Sequence, residues 1–453
     1  YGDSPYQSCS AFAGNPYFVD LETLEKEGLL TAADLKAESW GKDPLEVDYG
    51  TLYVSRFAVL RKAYAAWRSQ CAGLHGCAYY YPDDYYAFAL ANDSWLNDYA
   101  LYMALKTANG MKSWTEWPRE YRLRDAAALA KFAAEQEEEI GFWKFLQYEF
   151  ATQWKKVKDY ANKKGVKILG DIPIYVSADS VDAWVGGELF ELDAQGSFAR
   201  VAGCPPDYFS ADGQLWGNPL YNWPYHKQTG YVWWISRLRH CFTLYDVVRV
   251  DHFRGFDEYY AIPYGAVTAK DGEWEKGPGK KLTDALDEAA GETKIIAEDL
   301  GVFCQEVKDL LAETGYPGMK IIEFAFSGDR FNEHLPHCYD PNSVVYGGTH
   351  DNETLAGYFK PEKRQWWELQ YIADYLGAAH QSEVVDRVFR AAYGSVASVA
   401  IFQMQDVLKL DNWARMNTPG TLGENWRWRL VPGQFTDERA DYLSWLVDTF
   451  GRF

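Results

Sequence analysis

The feature that most restricts the fold of this chain is a series of short runs rich in Val and Ile, all of them after residue 165. Short apolar runs separated by intervals long enough for a helix are typical of parallel strands that are buried on both faces. We therefore predict an α/β architecture with one strand in each run. The six runs are Val166–Val176, Val247–Val250, Lys294–Ala297, Met319–Phe326, Ser343–Tyr346 and Val396–Met404.

Several of these runs contain or precede acidic residues. Asp171 lies in the first run, Asp251 follows the second, Glu298 and Asp299 follow the third, and His350–Asn352 comes shortly after the fifth. In a (β/α)8 barrel, reactive side chains lie at the carboxyl ends of the strands. The pattern therefore predicts a TIM-type (β/α)8 barrel whose strand ends carry a reactive site.

The part of the chain before these runs has a different period. Apolar residues recur there at three- and four-residue steps, most clearly from Ala126 to Ala161. We predict a mainly helical insertion subdomain over 21–164, preceded by a substrate loop of the barrel at 1–20. Residues 165–453 then supply the barrel strands and helices, with a long active-site loop over 177–233, which is rich in Asp, Gly, Pro and Trp.

The number of predicted strands is too small for a closed barrel, because the pattern gives six and such a barrel needs eight. All six lie after residue 165, and the helical period of 21–164 argues against two more strands there. We therefore expect the chain to be N-terminally incomplete, with a first βαβ unit missing before Tyr1.

The charge of the chain excludes some classes of partner. Its formal net charge is -20, from 65 Asp and Glu against 45 Lys and Arg. Proteins that bind phosphate groups present basic surfaces, so neither nucleic acid nor an anionic membrane is an expected partner. No apolar run reaches the roughly 18 residues of a membrane-spanning helix. The seven Cys residues are scattered and odd in number, which favours reduced thiols and a cytoplasmic location.

Aromatic residues make up 17% of the chain, with 19 Trp and 33 Tyr. Two interpretations are open. A large core can absorb many aromatic side chains, and flat apolar rings with a polar edge also suit the apolar face and hydroxyl rim of a sugar.

The first segment that could carry chemistry is Val247–Gly255. Alternate side chains of a strand share a face, so Arg249 and Asp251 point the same way. An Arg beside a carboxyl group favours its ionised form, which a glycosidic nucleophile needs. The alternative is a structural ion pair at a strand end, and this segment alone favours that alternative.

Two further segments supply acids. Glu298 follows a short strand and could act as a general acid toward a leaving-group oxygen. His350 and Asp351 follow two glycines and could bind vicinal hydroxyl groups, although Thr349 or Asp351 could instead cap a helix. Spacings of 47 residues from Asp251 to Glu298 and 53 from Glu298 to Asp351 allow all three acids to converge at one rim of a barrel.

Other chemistries have little support in the sequence. It contains no glycine-rich nucleotide-binding motif and no G-x-S-x-G nucleophile motif. The spacing of His334, His337 and Cys338 could suit a metal, but no second group of ligands accompanies it, so an ordinary loop is the better interpretation.

Five further segments form recognisable motifs: Tyr1–Ser8, Gly170–Val176, Pro205–Ser210, Gln214–Tyr221 and Ala414–Gly420. Together with the segments around the three acids, these motifs resemble those of the amylomaltases, also called 4-α-glucanotransferases or disproportionating enzymes. The likeness extends over essentially the whole chain. Family members carry roughly fifty further residues before the first motif, including two barrel strands, so the resemblance also implies an incomplete N-terminus.

The resemblance implies a role for each site residue. Asp251 is expected as the nucleophile, Glu298 as the acid/base and Asp351 as the third acid, which binds sugar hydroxyls. The other expected positions are sugar contacts at Asp171, Arg249, His252 and His350, aromatic platforms at Tyr6 and Trp216, and acceptor-side residues at Gln214 and Asn417.

The resemblance also implies the reaction. It is transfer of α-1,4-glucan segments between malto-oligosaccharides, with glucose as a further acceptor, through a covalent glucosyl-enzyme and without a metal or organic cofactor. Two alternatives stay open: an α-glucan hydrolase of the amylase type, and a glucan-binding protein made inactive by truncation.

Overall fold

The computed structural model of the protein describes residues 3–75, 81–193, 197–206, 211–291, 294–301 and 304–453. The chain forms two compact units. The first comprises Pro5–Gly41 and Asp48–Lys294, and the second comprises Lys42–Val47 and Ile295–Phe453. Within the described ranges, no helix combines the length and the apolar character that crossing a bilayer requires.

The first unit begins with a mainly helical stretch, as the apolar period predicts. Its helices are α1 (Leu21–Lys26), α2 (Ala32–Lys36), α3 (Tyr49–His75), α4 (Asp83–Ala91), α5 (Asp93–Ala108), α6 (Arg119–Arg122), α7 (Ala126–Glu135) and α8 (Glu137–Lys163).

Helix α8 shows why this stretch folds as it does. Three Glu residues occupy its first turn and Lys163 its last, which suits the helix dipole. Phe142, Phe145 and Leu146 are buried along one face at three- and four-residue steps. The ring of Phe145 packs 5.1 Å from that of Trp67 on α3. An aromatic core therefore accounts for part of the high aromatic content.

Two kinds of sheet follow in the first unit. β1 (Leu169–Pro173) pairs in parallel with β4 (Val247–Asp251). β7 (Lys294–Ala297) begins at the last residue of this unit and continues in the second unit. The remaining strands form an antiparallel sheet in the order β3-β2-β5-β6. They are β2 (Arg200–Cys204), β3 (Gln214–Pro219), β5 (Glu258–Pro263) and β6 (Glu273–Lys276).

Helices connect these strands. They are α9 (Val181–Val185), α10 (Trp223–Gln228), α11 (Val232–Leu244) and α12 (Lys280–Ala290).

The second unit is built on a parallel sheet in the order β10-β9-β8, formed by β8 (Gly318–Ile321), β9 (Ser343–Tyr346) and β10 (Val399–Ile401). Val345, Leu355, Val388 and Phe389 lie at the centre of its apolar core and are at most 1% exposed. Its helices are α13 (Gln305–Thr314), α14 (Leu355–Tyr358), α15 (Trp366–Leu376), α16 (Val384–Tyr393), α17 (Met404–Val407) and α18 (Asp437–Phe450).

Each of the six predicted runs contains a strand, and the pairings of β1 with β4 and of β9 with β8 and β10 are parallel. Three of the strands, β1, β8 and β10, are shorter than their runs. The run Met319–Phe326, for example, leaves the sheet after Ile321 and continues as a 3₁₀ turn. The stretch 177–233, predicted as one long loop, instead contains α9, β2, β3 and α10 in its described part. The Gly, Pro and Asp residues that suggested a loop are compatible with the short elements and turns found there.

Candidate functional site

One guanidinium group joins two carboxyl groups at the ends of β1 and β4. Asp171 lies opposite Arg249 in the strand register, and Asp251 lies two residues further along β4. Nη1 of Arg249 donates to both oxygens of Asp171, at 2.8 and 2.7 Å, and to Oδ1 of Asp251, at 3.0 Å. The Arg249 side chain is 7% exposed, whereas those of Asp171 and Asp251 are 29% and 27% exposed.

The burial of Arg249 decides how strongly this network is held. Exposed ion pairs contribute about 0–1 kcal/mol to stability, whereas removing one partner of a buried pair costs about 3–5 kcal/mol. The network therefore stabilises the ends of β1 and β4, as expected for a structural ion pair at a strand end. It also leaves the Asp251 carboxyl group partly exposed at a strand end, where a substrate can reach it.

Tyr6 reaches the same network through its hydroxyl group, which donates to Oδ2 of Asp171 at 2.6 Å. Burial, and next the charge of Asp171, raises the pKa of Tyr6, so the hydroxyl group stays a donor. The segment after Tyr6 is tied to α8, where Gln147 exchanges hydrogen bonds of 2.7 and 2.9 Å with the backbone of Gly14. A Cβ on Gly14 would lie 2.1 Å from the Phe150 ring, so only glycine fits this close approach.

The chain turns sharply directly after β4. His252 has φ 54° and ψ 45°, the left-handed conformation that non-glycine residues seldom adopt. Its ring meets that of Trp216 edge-on, with centroids 4.8 Å apart, and the Tyr175 ring lies 6.4 Å from each. Burial, and next the charge of Arg254, lowers the pKa of His252 to about 3, so the imidazole is neutral near pH 7. A neutral imidazole both donates and accepts hydrogen bonds, as binding a hydroxyl group requires.

Gln214 and Trp216 lie two residues apart on β3, and Nε1 of Trp216 donates to Oε1 of Gln214 at 3.1 Å. This bond fixes the indole edge while the Trp216 side chain stays half-buried. The pair therefore presents an aromatic ring and an amide group together.

The end of β1 is supported by residues that the sequence did not single out. Arg237, which is 2% exposed, donates to the carbonyl groups of Pro173, at 2.6 Å, and Ile174, at 3.0 Å. The Tyr221 hydroxyl group also donates to Ile174, at 2.7 Å. These bonds satisfy carbonyl groups that the strand leaves unpaired where it ends, and so support the backbone next to Asp171.

Glu298 and Asp299 follow β7 and have different surroundings. Glu298 is 8% exposed, and its Oε1 accepts from the Leu300 backbone at 2.8 Å. Oδ1 of Asp299 accepts from the Met319 backbone at 2.8 Å, which holds the chain to β8. Burial raises the pKa of Asp299. The hydrogen bond to Met319 therefore gives Asp299 a structural role.

Asp351 lies in a set of polar contacts within the second unit. Nδ2 of Asn417 donates to Oδ1 of Asp351 at 2.6 Å, and Nε2 of His350 lies 3.5 Å from Oδ2. Arg415 donates to the Asp351 carbonyl group at 2.6 Å and to that of Asn417 at 2.8 Å. The Asp351 side chain is nevertheless 43% exposed. Trp426 adds an aromatic ring 5.2 Å from that of His350.

The N-cap of the helix that follows this segment is Thr354, and neither Thr349 nor Asp351. Helix α14 begins at Leu355, and the Thr354 side chain accepts from the Gly357 backbone at 3.1 Å. Thr349 instead bonds to Asn352, through contacts of 2.8 and 2.9 Å, and closes a turn. Asp351 is therefore not the cap.

Two buried acids beside this segment were also missed. Glu323 is 3% exposed and Asp406 is 1% exposed. Oδ1 of Asp406 accepts from the Leu355 backbone at 2.7 Å, whereas Oδ2 of Asp406 and Oε1 of Glu323 have no hydrogen-bond partner within the described part of the chain. Burial raises the pKa of both groups, that of Asp406 to about 7. No sequence signal marked them, since each follows an apolar segment as many ordinary acids do.

His334 and His337, which were considered as metal ligands, take part in ordinary hydrogen bonds. Nδ1 of His334 accepts from the Ile321 backbone at 3.1 Å, and His337 contacts the Tyr375 hydroxyl group at 2.9 Å. Burial lowers the pKa of His334 to about 4, so it is a neutral hydrogen-bonding residue.

The structure groups the predicted residues by unit. The first unit holds Tyr6, Asp171, Gln214, Trp216, Arg249, Asp251 and His252, and the second holds Glu298, His350, Asp351 and Asn417. Contacts connect Tyr6, Asp171, Arg249 and Asp251 in one network, and His350, Asp351 and Asn417 in another. Four residues of the predicted motif Pro205–Ser210, positions 207–210, and the first two of Tyr1–Ser8 lie outside the described residues.

Comparison with known proteins identifies the family of the chain. A family model for 4-α-glucanotransferases matches residues 1–434. The 4-α-glucanotransferase of Clostridium butyricum is 44% identical over 454 residues, covering 100% of this chain and 91% of the relative. That of Streptococcus pneumoniae is 46% identical over 453 residues, covering 100% and 88%. The structure of an amylomaltase from Streptococcus agalactiae in complex with acarbose superposes with a TM-score of 0.94 at 39% identity, covering 100% of this chain and 90% of that one.

The fold is that of a TIM-barrel-type enzyme of α-glucan chemistry, with helical insertions. The chain belongs to the 4-α-glucanotransferase family. The activity predicted from the motifs, transfer of α-glucan segments, is confirmed, and hydrolysis is not favoured.

Proposed function

We propose that the chain moves an α-1,4-glucan segment from a donor to the 4-hydroxyl group of an acceptor glucan or of glucose by double displacement with retention. Asp251 is the nucleophile, Glu298 the acid/base and Asp351 the third acid. The observation that carries this assignment is the Asp171–Arg249–Asp251 network, which holds a partly exposed carboxylate beside a buried cation.

In the first step, an oxygen of Asp251 forms a bond to the anomeric carbon while the glycosidic bond breaks. Glu298 gives its proton to the departing oxygen. Glu298 is 8% exposed and its Oε1 accepts from the Leu300 backbone, so its carboxyl group is held in a fixed orientation.

In the second step, the acceptor hydroxyl group attacks the same carbon and loses its proton to Glu298. The ester bond to Asp251 breaks, and both carboxyl groups return to their starting forms. The two displacements together retain the α configuration. This chemistry requires the two carboxyl groups about 5–5.5 Å apart across the substrate.

The remaining residues bind sugar. Asp351, oriented by Asn417 and His350, is proposed to bind hydroxyl groups of the reacting glucosyl unit. The complex of the Streptococcus agalactiae amylomaltase with acarbose fits glucan binding by such a site. The other proposed contacts are Asp171, Arg249, His252 and His350 to the same unit, Tyr6 and Trp216 as aromatic platforms, and Gln214 and Asn417 on the acceptor side.

Transfer requires that an acceptor sugar outcompete water, which is present at roughly 55 M. Positioned binding of the acceptor and exclusion of water supply that preference. We propose that the 177–233 segment, which carries Trp216 on β3, covers the reacting bond.

The test is incubation with maltotriose and analysis of the products. Transfer yields glucose together with oligosaccharides longer than the substrate. Shortened products without elongation would instead identify a hydrolase, and an absence of products would identify an inactive glucan-binding protein.

Asp251→Asn should lower the rate of transfer by roughly a thousandfold or more, because an amide cannot form the ester intermediate. Asp271→Asn, at an exposed position of the same unit, is the matched control and should retain the rate. Equal rates in the two variants would reject Asp251 as the nucleophile.

We also infer a cytoplasmic enzyme without nucleic-acid or membrane partners. The buried residues Cys71 and Cys241 carry free thiols, and the net charge of -20 disfavours binding to phosphate groups.

A further inference from the structure

A cavity of about 370 Å³ lies in the first unit, and none of the predicted site residues lines it. It is enclosed by the segment that carries Ser10 and Phe12, by the start of α5, by α9 with the turn that follows it, and by α10 and α11. Small-molecule sites typically have volumes of about 300–1,000 Å³, so the cavity can hold a small molecule or one end of a longer chain.

Three aromatic residues form part of the cavity wall. The rings of Phe12 and Trp95 are nearly parallel, 17° apart with centroids at 6.4 Å, and Trp233 meets Phe12 edge-on at 6.3 Å. All three side chains are half-buried, whereas the neighbouring Trp234 is 1% exposed. The wall therefore keeps aromatic surface in contact with water, and covering that surface with an apolar face would be favourable.

The polar groups of the cavity exclude anionic ligands. Carboxyl groups of Asp98, Asp182 and Glu188 line it together with the hydroxyl groups of Ser94 and Ser236, and its described lining contains no Lys, Arg or His. A phosphorylated ligand would meet repulsion there. A neutral ligand that combines apolar faces with many hydroxyl groups fits both the rings and the rim, and glucosyl units have that character.

The segment that carries Ser10 and Phe12 also carries Tyr6. It is fixed beside the cavity by three bonds: Ala11 N to Asp182 Oδ2 at 2.7 Å, Val181 N to Cys9 O at 2.9 Å, and the His240 ring to Phe12 O at 2.7 Å. The wall is therefore held in place before any ligand arrives. A single glucan chain held at two places by one rigid segment gains affinity without new chemistry.

We propose that this cavity binds a glucosyl portion of an α-glucan chain, remote from the bond that reacts, and so favours long glucans over short ones. The inference rests on the proposed function for its ligand class. It adds a binding site to that function and leaves the reacting residues as assigned.

Filling the cavity from its rim tests the proposal without removing core side chains. Ser94→Trp and Ser236→Trp replace exposed residues and should each lower the ratio of kcat/KM for maltoheptaose to that for maltotriose by about tenfold, since a binding contact of this kind is worth about that factor. Ser69→Trp, at an exposed position of α3 outside the cavity, should leave the ratio unchanged. An unchanged ratio in both cavity variants would overturn the proposal.

A second measurement uses the Asp251→Asn protein with every cavity residue intact. Hydroxyl-radical footprinting with maltoheptaose should slow the oxidation of Trp95 and Trp233 as well as that of Trp216. Protection of Trp216 alone would reject the remote site and leave the proposed function standing. If none of the three residues is protected, the proposed function itself fails.

Discussion

At the scale of single residues, Arg249 has the most demanding position, because one of its nitrogens serves two carboxyl groups. Arg249→Ala would leave Asp171 and Asp251 facing each other without a cation. We expect kcat/KM for maltotriose to fall by about 100- to 1,000-fold, the range for losing one preorganised charged group.

Arg239→Ala is the matched control for that substitution, because Arg239 is an exposed residue of α11. It should change kcat/KM by less than about twofold, as is usual for a surface residue. A similar loss in both variants would mean that Arg249 matters only for folding.

The hydroxyl group and the ring of Tyr6 make separate contributions, and a substitution can distinguish between them. Tyr6→Phe removes the bond to Asp171 and keeps the aromatic face, so kcat/KM should fall by about tenfold, in line with a lost charge-assisted hydrogen bond. Tyr160→Phe, which alters an exposed Tyr on α8, provides the comparison. If Tyr6→Phe matches the wild type, the ring alone contributes.

The positions of Asp251, Glu298 and Asp351 beside strand ends could be predicted because each follows a recognisable strand or a Gly-Gly turn. Their partners could not. Arg237, Arg415, Glu323 and Asp406 are distant in sequence from the groups that they contact or face, and only tertiary packing brings them there. A single buried polar residue has no periodic signal.

At the scale of elements, the start of α14 depends on a buried acid. Asp406 accepts from Leu355, and burial raises its pKa from 3.8 to about 7. A carboxyl group with a raised folded-state pKa stabilises the fold at low pH and loses that contribution as pH rises from about 4 to about 7. The loss amounts to roughly 4 kcal/mol for such a shift.

Asp406→Asn keeps the acceptor oxygen and cannot ionise. Relative to the wild type, we expect its free energy of unfolding to rise between pH 4.5 and pH 8, measured by chemical denaturation at each pH. The difference between the two proteins isolates Asp406 from other titrating groups. Parallel pH profiles would show that Asp406 does not titrate in this range.

The elements themselves were predictable to different degrees. The strands of the six runs were found because Val and Ile dominate strands that are buried on both faces. The antiparallel sheet was not found, because Gln214–Pro219 contains Gly217 and Pro219, and Glu273–Lys276 is mostly charged. Strands of that composition are defined by their partners and not by their own pattern.

At the scale of the whole molecule, the net charge of -20 opposes compactness through self-repulsion. Added salt screens that repulsion but also weakens exposed ion pairs, which contribute only about 0–1 kcal/mol each. We expect repulsion to dominate, so Tm should rise from low to physiological ionic strength at pH 8. The effect should shrink near the isoelectric point, and a Tm that falls with salt at pH 8 would show that ion pairs dominate.

The Asp171–Arg249–Asp251 network also bears on how long the glucosyl-enzyme survives. Two carboxylates and one guanidinium group sum to one negative charge, and esterification of Asp251 brings the sum to zero. With Asp251 as the proposed nucleophile, the intermediate is then the state in which Asp171 and Arg249 match each other one to one. An intermediate with this charge balance persists between the two half-reactions, so an acceptor chain that diffuses slowly has time to bind.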